Sequence, residues 1–406
     1  MRTIALTMLV LCGSARAADL AEIQGLLKAQ KLDGWLLYDF RGLNGIAREV
    51  VKPVGVGSRR WFYLIPAEGE PVAIIHKIET QGFDKVPGKK ITYAAWRELE
   101  AQLRAVLRGR RRVAMEVSDT LPAVSRVDAG TVALVRKAGA EVVSSALLVQ
   151  TAKSRWGAGR AAHDAAVRAL VAQKDKAFAE IARRIRAGDK VTEGDIAAGI
   201  RDGMKAAGLS AEWPIVAAGE NGANPHYAPA AQGSREIRRG DVVIIDMASR
   251  VEGDPAAICA DMTFVGYVGD TVPKEVADVF AVVAQARDAT VAFLAERLRD
   301  GKPVRGFEAD AVARGVIARA GYGEFFIHRT GHSIDTRVHG DGTNLDDFET
   351  HDTRPFIPDT GFSVEPGIYL PGKFGIRSEI DCHIDGTKVE VTTPLQTEVT
   401  AILEGG

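Results

Sequence analysis

Short apolar or alternating runs punctuate the first third of the chain, at residues 34–40, 60–65, 72–78 and 113–117, each bounded by Gly, Pro or charge. Runs of that length predict β-strands. Helical stretches lie among them, at 96–107 and at 132–137 just ahead of Gly139. Residues 19–150 therefore predict a small α/β domain, with 153–159 as a linker to a second, larger unit.

Beyond that linker the order of elements repeats. A long helix is expected over 160–186. A shorter one is opened by Thr192, an N-cap with Asp195 three residues on, and stopped at Gly208. Strands follow around 213–217, 242–246 and 260–265. In the second half Pro273 opens a long helix to about residue 299, a shorter helix runs from 303 to 321, and strands follow near 362–365 and 376–383. Two helix–helix–strand halves, at 155–406, predict a pseudo-twofold α/β domain whose strands meet in the middle.

Composition narrows the function classes. With 46% hydrophobic and 26% charged residues, the chain is neither a disordered tail nor a fibre nor a polytopic membrane protein. Its 52 basic residues are matched by 53 acidic ones. They are dispersed, with no aromatic-interleaved basic run, so no nucleic-acid partner is expected. Lys89-Lys90 and the basic run 108–112 read as solvated surface.

Residues 1–17 form a separate object. Arg2, an apolar stretch over 4–12 too short to span a bilayer, and Ala15-Arg16-Ala17 come in signal-peptide order. Export to the periplasm or medium, with cleavage after Ala17, is the expectation. No later run is long and apolar enough for a membrane span, so no membrane association is expected of the mature chain. Cleavage removes Cys12 and leaves Cys259 and Cys382 in an oxidising compartment. Strand parity sets Cys259 on the face of Asp261, and Cys382 opposite the face of Glu379 and Asp381. Two free, largely buried thiols are predicted.

The candidate chemistry sits on the later strands. Asp246 closes the apolar VVIID, and Asp261 interrupts CADMTFVG with Ala260, Met262 and Phe264 on the other face. His332 follows Gly331 in RTGHSIDTRVH. Glu365 ends FSVE before Pro366, and Glu379 sits in IRSEIDCHI. A lone Asp at a strand end is more often a turn former, but four carboxylates cannot share an interior unless protonated or neutralised by cations. Oxygen donors with one imidazole suit Mn²⁺, with Co²⁺ or Zn²⁺ as alternatives. Five such ligands suffice for two ions.

Taken together, ANPHY (223–227), VVIIDM, ADMT, GHSIDTRVHG (331–340), FSVEPGIY (362–369) and GIRSEID (375–381) resemble the pita-bread metallopeptidases, in the branch of Xaa-Pro aminopeptidases and Xaa-Pro dipeptidases (prolidases). The resemblance implies a creatinase/prolidase-like N-terminal α/β domain ahead of a pita-bread catalytic domain. It implies that Asp246, Asp261, His332, Glu365 and Glu379 hold two divalent ions, with Asp261 and Glu379 bridging. His226 and His339 match the family's substrate-side histidines, and Arg377 its arginine two residues before the last ligand. Peptide hydrolysis would then proceed by attack of a metal-bridging hydroxide, with Glu365 shuttling a proton. The implied substrate is a peptide with proline second, and the expected assembly a homodimer or higher homo-oligomer.

Three features depart from the family pattern. Asp246 and Asp261 are fifteen residues apart, so the hairpin between them is longer than usual. Ser333 follows His332, and Ile380 stands where an acidic residue is common. Arg354 precedes Glu365 in the aminopeptidase manner, whereas prolidases offer an arginine for the dipeptide carboxylate at the position of His351. Aminopeptidase is therefore the first expectation. The alternatives are Xaa-Pro dipeptidase, a metal-dependent lyase or C–N hydrolase, and a non-catalytic binding module.

Overall fold

The computed structural model describes residues 20–405 apart from Val56 and Trp213. The leader read at 1–17, with Cys12, lies outside the described residues. Among the described residues, five α-helices and six strands build the first unit: α1 (Leu20–Ala29), β1 (Gly34–Asp39), α2 (Gly45–Val51), β2 (Trp61–Pro66), β3 (Val72–His76), β4 (Lys89–Tyr93), α3 (Trp96–Leu107), β5 (Arg112–Met115), α4 (Ala129–Lys137), β6 (Glu141–Ser144) and α5 (Ala146–Lys153). The strands form one mixed sheet in the order β4-β3-β2-β1-β5-β6. Trp35 and Leu37 of β1 pack against α1, α2 and α5 on one face, and Leu36 and Tyr38 against α3 and α4 on the other. Burial on both faces is why β1 reads as continuously apolar instead of alternating. The Lys89-Lys90 pair, expected as plain surface, opens the edge strand β4, where exposed lysines discourage pairing with another chain.

Just past β5, the buried Glu116 accepts hydrogen bonds from Trp35 Nε1 (2.6 Å), Ser145 Oγ (3.2 Å) and Asn44 Nδ2 (2.7 Å). Burial outweighs these three donors and pushes its pKa up from 4.5 to about 7. A carboxyl raised on folding binds its proton more tightly in the folded state. Its contribution to stability is full below about pH 4.5 and is lost as pH rises through 7. The shift corresponds to about 3 kcal/mol. We expect the urea midpoint of the chain to fall between pH 5 and 8, and Glu116→Gln to flatten that fall. Equal slopes in the two proteins would assign the dependence elsewhere.

The second unit opens with α6 (Arg160–Ala187) and α7 (Glu193–Ala206), followed by β7 (Ile215–Ala218), β8 (Val242–Ser249) and β9 (Ala260–Tyr267). Thr192 and Asp195 form the expected reciprocal cap on α7. Then come α8 (Lys274–Arg299), α9 (Gly306–Arg319), β10 (Ser333–Ile334), β11 (Gly361–Val364), β12 (Gly367–Leu370), β13 (Phe374–Arg377), β14 (Ile380–Asp385), β15 (Lys388–Val391) and β16 (Thr400–Ala401). The two halves give two four-stranded sheets, β16-β9-β8-β7 and β10-β11-β14-β15, with β12 and β13 as a separate hairpin. Helix α9 starts at Gly306, later than the expected 303. Val304 O accepts the Phe356 amide and Arg305 bridges Pro355, which holds that stretch extended.

Register explains what the strands carry. Asp246 lies opposite Thr263, and Ala248 opposite Asp261, so the two aspartates share one face of the β8–β9 hairpin. The alternate residues Val243, Ile245, Met247, Ala260, Met262 and Phe264 face the core under α6 and α7. Asp246 does not close its strand, because β8 continues to Ser249. Cys259 and Cys382 are both free and buried, in separate apolar clusters, as parity predicts.

The expected linker at 153–159 is instead a packed wedge. Trp156 is fully buried between the rings of His163 and His383, with centroids 4.4 and 4.7 Å away, and its Nε1 donates to Ile334 O at 2.8 Å. Its small and charged neighbours disguise the one large side chain that anchors the segment. Just before it, Gln150 donates to Thr343 Oγ1 and Pro355 O, and Lys153 pairs with both Glu49 and Asp341. The first unit thus braces the loop that follows His339.

Candidate metal centre

Backbone geometry brings the five expected ligands to the meeting point of the two sheets. Asp246 and Asp261 come from β8 and β9. Glu365 lies one residue past β11, and Glu379 falls in the break between β13 and β14, not on a strand as expected. His332 immediately precedes β10. Gly331 is required there, since a Cβ would stand 2.0 Å from Ser363 O. Donor atoms of Asp261, His332 and Glu379 all lie within 4.8 Å of one another. His332 Nε2 is 3.6 Å from Asp261 Oδ2 and 3.2 Å from Glu365 Oε1. Asp246 bears electrostatically on Asp261, Glu365 and Glu379.

The electrostatics of this cluster demand a cation. Burial, then the charges of its carboxylate neighbours, drives Asp261 and Glu379 well above the usual carboxylate range. Burial also pushes Glu365 up to about 7. Burial, with His339 and Arg329 nearby, drives His332 well below 6.5. That ring is therefore neutral, and Nδ1 lies 3.3 Å from Ser333 O, a contact that places the proton on Nδ1. Nε2 then turns a lone pair toward carboxylate oxygens, an arrangement of acceptors alone that a divalent ion between them would satisfy. The donor set fits the dinuclear site implied for the family.

A surrounding layer orients these ligands. Arg377 donates Nη2 to Asp246 Oδ2, Nε to Thr263 Oγ1 (3.0 Å), and Nη1 to Tyr369 Oη (3.1 Å) and Pro225 O (3.2 Å). Thr263 Oγ1 in turn donates to Glu379 Oε2 at 2.6 Å. Ser363 Oγ accepts the His332 amide (3.0 Å) and donates to Glu365 Oε1 (3.1 Å), while Asp381 Oδ2 accepts the Asp261 amide (2.8 Å). Such partners fix ligand rotamers before any ion arrives. Arg377 is thus a clamp on two ligands, and His328 Nε2 meets Tyr369 Oη at 2.8 Å; Thr263, Ser363, Asp381, His328 and Tyr369 are additions that motif reading missed.

His339 stands edge-on to His332, with centroids 4.4 Å apart and planes at 88°. His226 is exposed in its turn, and its charge is felt at His339 and at His328. The turn is fastened from both sides. Pro225 O accepts from Arg377, and Tyr227 Oη donates at 2.6 Å to the buried Glu193, which also accepts the Ala218 amide. Arg354 is spent inside its own loop, paired with Asp352 at 2.6 Å and donating to Asp341 O at 2.7 Å. So held, Arg354 gives no support to an aminopeptidase. The long β8–β9 connection exposes its tip at 252–255 but buries Ile258 and Cys259 against Trp156 and Ile334. Its return leg so buttresses the segment leading to His339.

The sequence pattern of metallopeptidase family M24 matches residues 165–385. A probable dipeptidase PepE of Mycobacterium tuberculosis is 34% identical over 194 residues, covering 46% of this chain and 46% of that protein. An Xaa-Pro dipeptidase of Lactobacillus helveticus is 32% identical over 198 residues, covering 46% and 47%. The alignments span about half the length of these curated relatives. Over nearly the whole chain the fold is similar to the crystal structure of dipeptidase PepE from Mycobacterium ulcerans, with a TM-score of 0.70 and 25% identity, covering 94% of this chain and 96% of that one.

Proposed function

Since the chain belongs to metallopeptidase family M24, we infer that its finer activity is that of an Xaa-Pro dipeptidase. The dipeptidase names of its relatives support this over the aminopeptidase expectation, and Arg354, locked to Asp352, offers nothing against it. The observation that carries a hydrolytic reading is the convergence of the buried Asp261, His332 and Glu379, with Glu365 3.2 Å from His332 and the Asp246 charge acting on Glu379. We propose that these five hold two divalent ions, Mn²⁺ by the oxygen-rich donor set. When bound, such ions supply Lewis acidity and an activated water.

The chain's own groups account for the remainder. His339 and His226, on the open side of the cluster, donate hydrogen bonds to the substrate carbonyl as it gains negative charge, and to its backbone. The Glu365 carboxylate moves a proton toward the leaving nitrogen. With proline second, that nitrogen carries no hydrogen before cleavage, so the proton delivered there is the one it leaves with. Arg377 holds Asp246, and through Thr263 Glu379, in place throughout.

The test is a comparison of the Mn²⁺-, Co²⁺- and Zn²⁺-supplemented protein on Ala-Pro, Ala-Pro-Ala and Ala-Ala. The dipeptidase reading expects Ala-Pro to be cleaved fastest. Faster release of alanine from Ala-Pro-Ala would return the aminopeptidase reading, and equal rates on Ala-Ala would remove proline from the specificity. The leader-like residues 1–17 also support export. N-terminal sequencing of the exported chain should then begin at Ala18, and an intact Met1 on exported protein would oppose it.

A further inference from the structure

The first unit supplies none of the five ligands, yet its sheet builds a crevice of its own. Strands β1 and β5 are parallel neighbours, pairing Gly34 with Val113 and Trp35 with Ala114. The chain leaving β1 turns to β2 on one side, whereas the chain leaving β5 reaches β6 on the other. In open α/β sheets such a divergence leaves a gap outside the carboxyl ends of the two strands, and ligands bind there. Here the gap is a cavity of about 590 Å³, a volume suited to one small molecule. Tyr38 and Phe40 line it from the end of β1, Arg126 from the segment after β5, and Trp96 from α3. Arg60 joins them because β2 runs antiparallel to β1: Asp39 pairs with Trp61, which brings residue 60 to the same edge.

The lining is of two kinds. Trp96 is 57% exposed, whereas Trp35, Trp61 and Trp156 are buried, and beside it in the lining Leu43 is 73% exposed. Apolar surface gathered at the mouth of a cavity, with two further rings in Tyr38 and Phe40, suits a flat apolar body. The charged residues add a sign. Among the described residues neither the Arg60 nor the Arg126 guanidinium has an ion pair or a hydrogen bond. The two acids of the lining are already engaged. Glu100 faces Arg104 and Lys137 at 3.5 and 3.6 Å, and Asp128 takes the Thr131 amide and hydroxyl at 2.8 Å each. The unmatched charge is therefore positive. Asp128 also occupies the N-terminus of α4, the place a phosphate would take, and its charge opposes a dianion there. A carboxylate brings one negative charge and two coplanar oxygens, which a guanidinium fork matches.

We propose that this cavity binds a small aromatic carboxylate, its ring against Trp96 and Phe40 and its anion on Arg60 and Arg126. The site lies wholly in the first unit, so it stands or falls independently of the metal centre and of the dipeptidase reading.

The experiment titrates the full chain with trans-cinnamate, its neutral amide cinnamamide, and phenyl phosphate, read by calorimetry. Cinnamate should bind at one site per chain, with the same affinity in the metal-loaded and the chelated protein, and cinnamamide about 10-fold or more weaker, the scale of one charge-assisted contact. Arg126→Ala and Arg60→Gln should each weaken cinnamate by about 10-fold and cinnamamide little, and Trp96→Ala should weaken both. Arg126 is exposed and carries no side-chain bond, so its variant keeps the test open should Arg60→Gln fail to fold. Absence of cinnamate binding at millimolar concentration, equal affinity for acid and amide, or wild-type affinity in folded Arg126→Ala overturns the proposal. So does binding that vanishes with the metal, which would put the carboxylate on the ions, and phenyl phosphate binding tighter than cinnamate, which would make this a phosphate site.

Discussion

Asp261→Ala and Glu379→Ala should each lower kcat/KM on the order of 10³-fold, the loss expected when several kcal/mol of metal-derived stabilisation are withdrawn. Both carboxylates are buried and crowded by other carboxylates, and the donor atoms of both lie within 4.8 Å of the His332 ring. Stability should respond in a distinctive sense. In wild type, divalent ions at a hundredfold excess over Kd should stabilise the fold by about 2.7 kcal/mol, and a chelator should reverse this together with activity. Without ions, each alanine variant should be no less stable than wild type, because it relieves carboxylate repulsion. Each should also gain less from added metal. Elemental analysis and thermal unfolding with and without Mn²⁺ read these effects. Folded variants that still carry two ions per chain would show that neither residue is a ligand.

How far this site was legible from sequence depended on whether a relationship was local. The ligand strands and their faces were readable, because period-two alternation marks Asp261 against Ala260, Met262 and Phe264. The same rule could have delivered three of the supporting groups. Thr263 lies two residues from Asp261, Ser363 two from Glu365 and Asp381 two from Glu379, and each bonds a ligand or its backbone. They were missed because hydroxyls and a further aspartate in strands have no fixed chemistry until a partner is known. Glu193 carried no signal at all: its grip on Tyr227 spans 34 residues and two elements. Trp156 was hidden by its Gly- and Ser-rich surroundings, and its stacking partners His163 and His383 come from opposite ends of the second unit.

His226→Ala and His339→Ala should leave fold and metal content in place while kcat falls by about 10²–10³, the usual cost of removing one donor to a developing oxyanion. Neither histidine is in the group of donor atoms that converge on the ligand point, yet His339 interacts electrostatically with Asp246 and His332, and His226 with His339. Burial, then the Arg329 and His226 charges, holds His339 below 6.5, so near pH 7 it is a neutral ring with one N–H to give. The two variants should differ in rescue. His339 is held against His332, so a glutamine there keeps a donor near the same place and should recover part of kcat. His226 depends on a turn that Tyr227 and Arg377 fasten, and its ring is exposed, so its loss should also raise KM. Metal loss from His339→Ala equal to that from His332→Ala would make His339 a ligand. Near-normal turnover in both alanine variants would make them ordinary loop histidines, and the charge on the carbonyl oxygen would then have to be met by the ions alone.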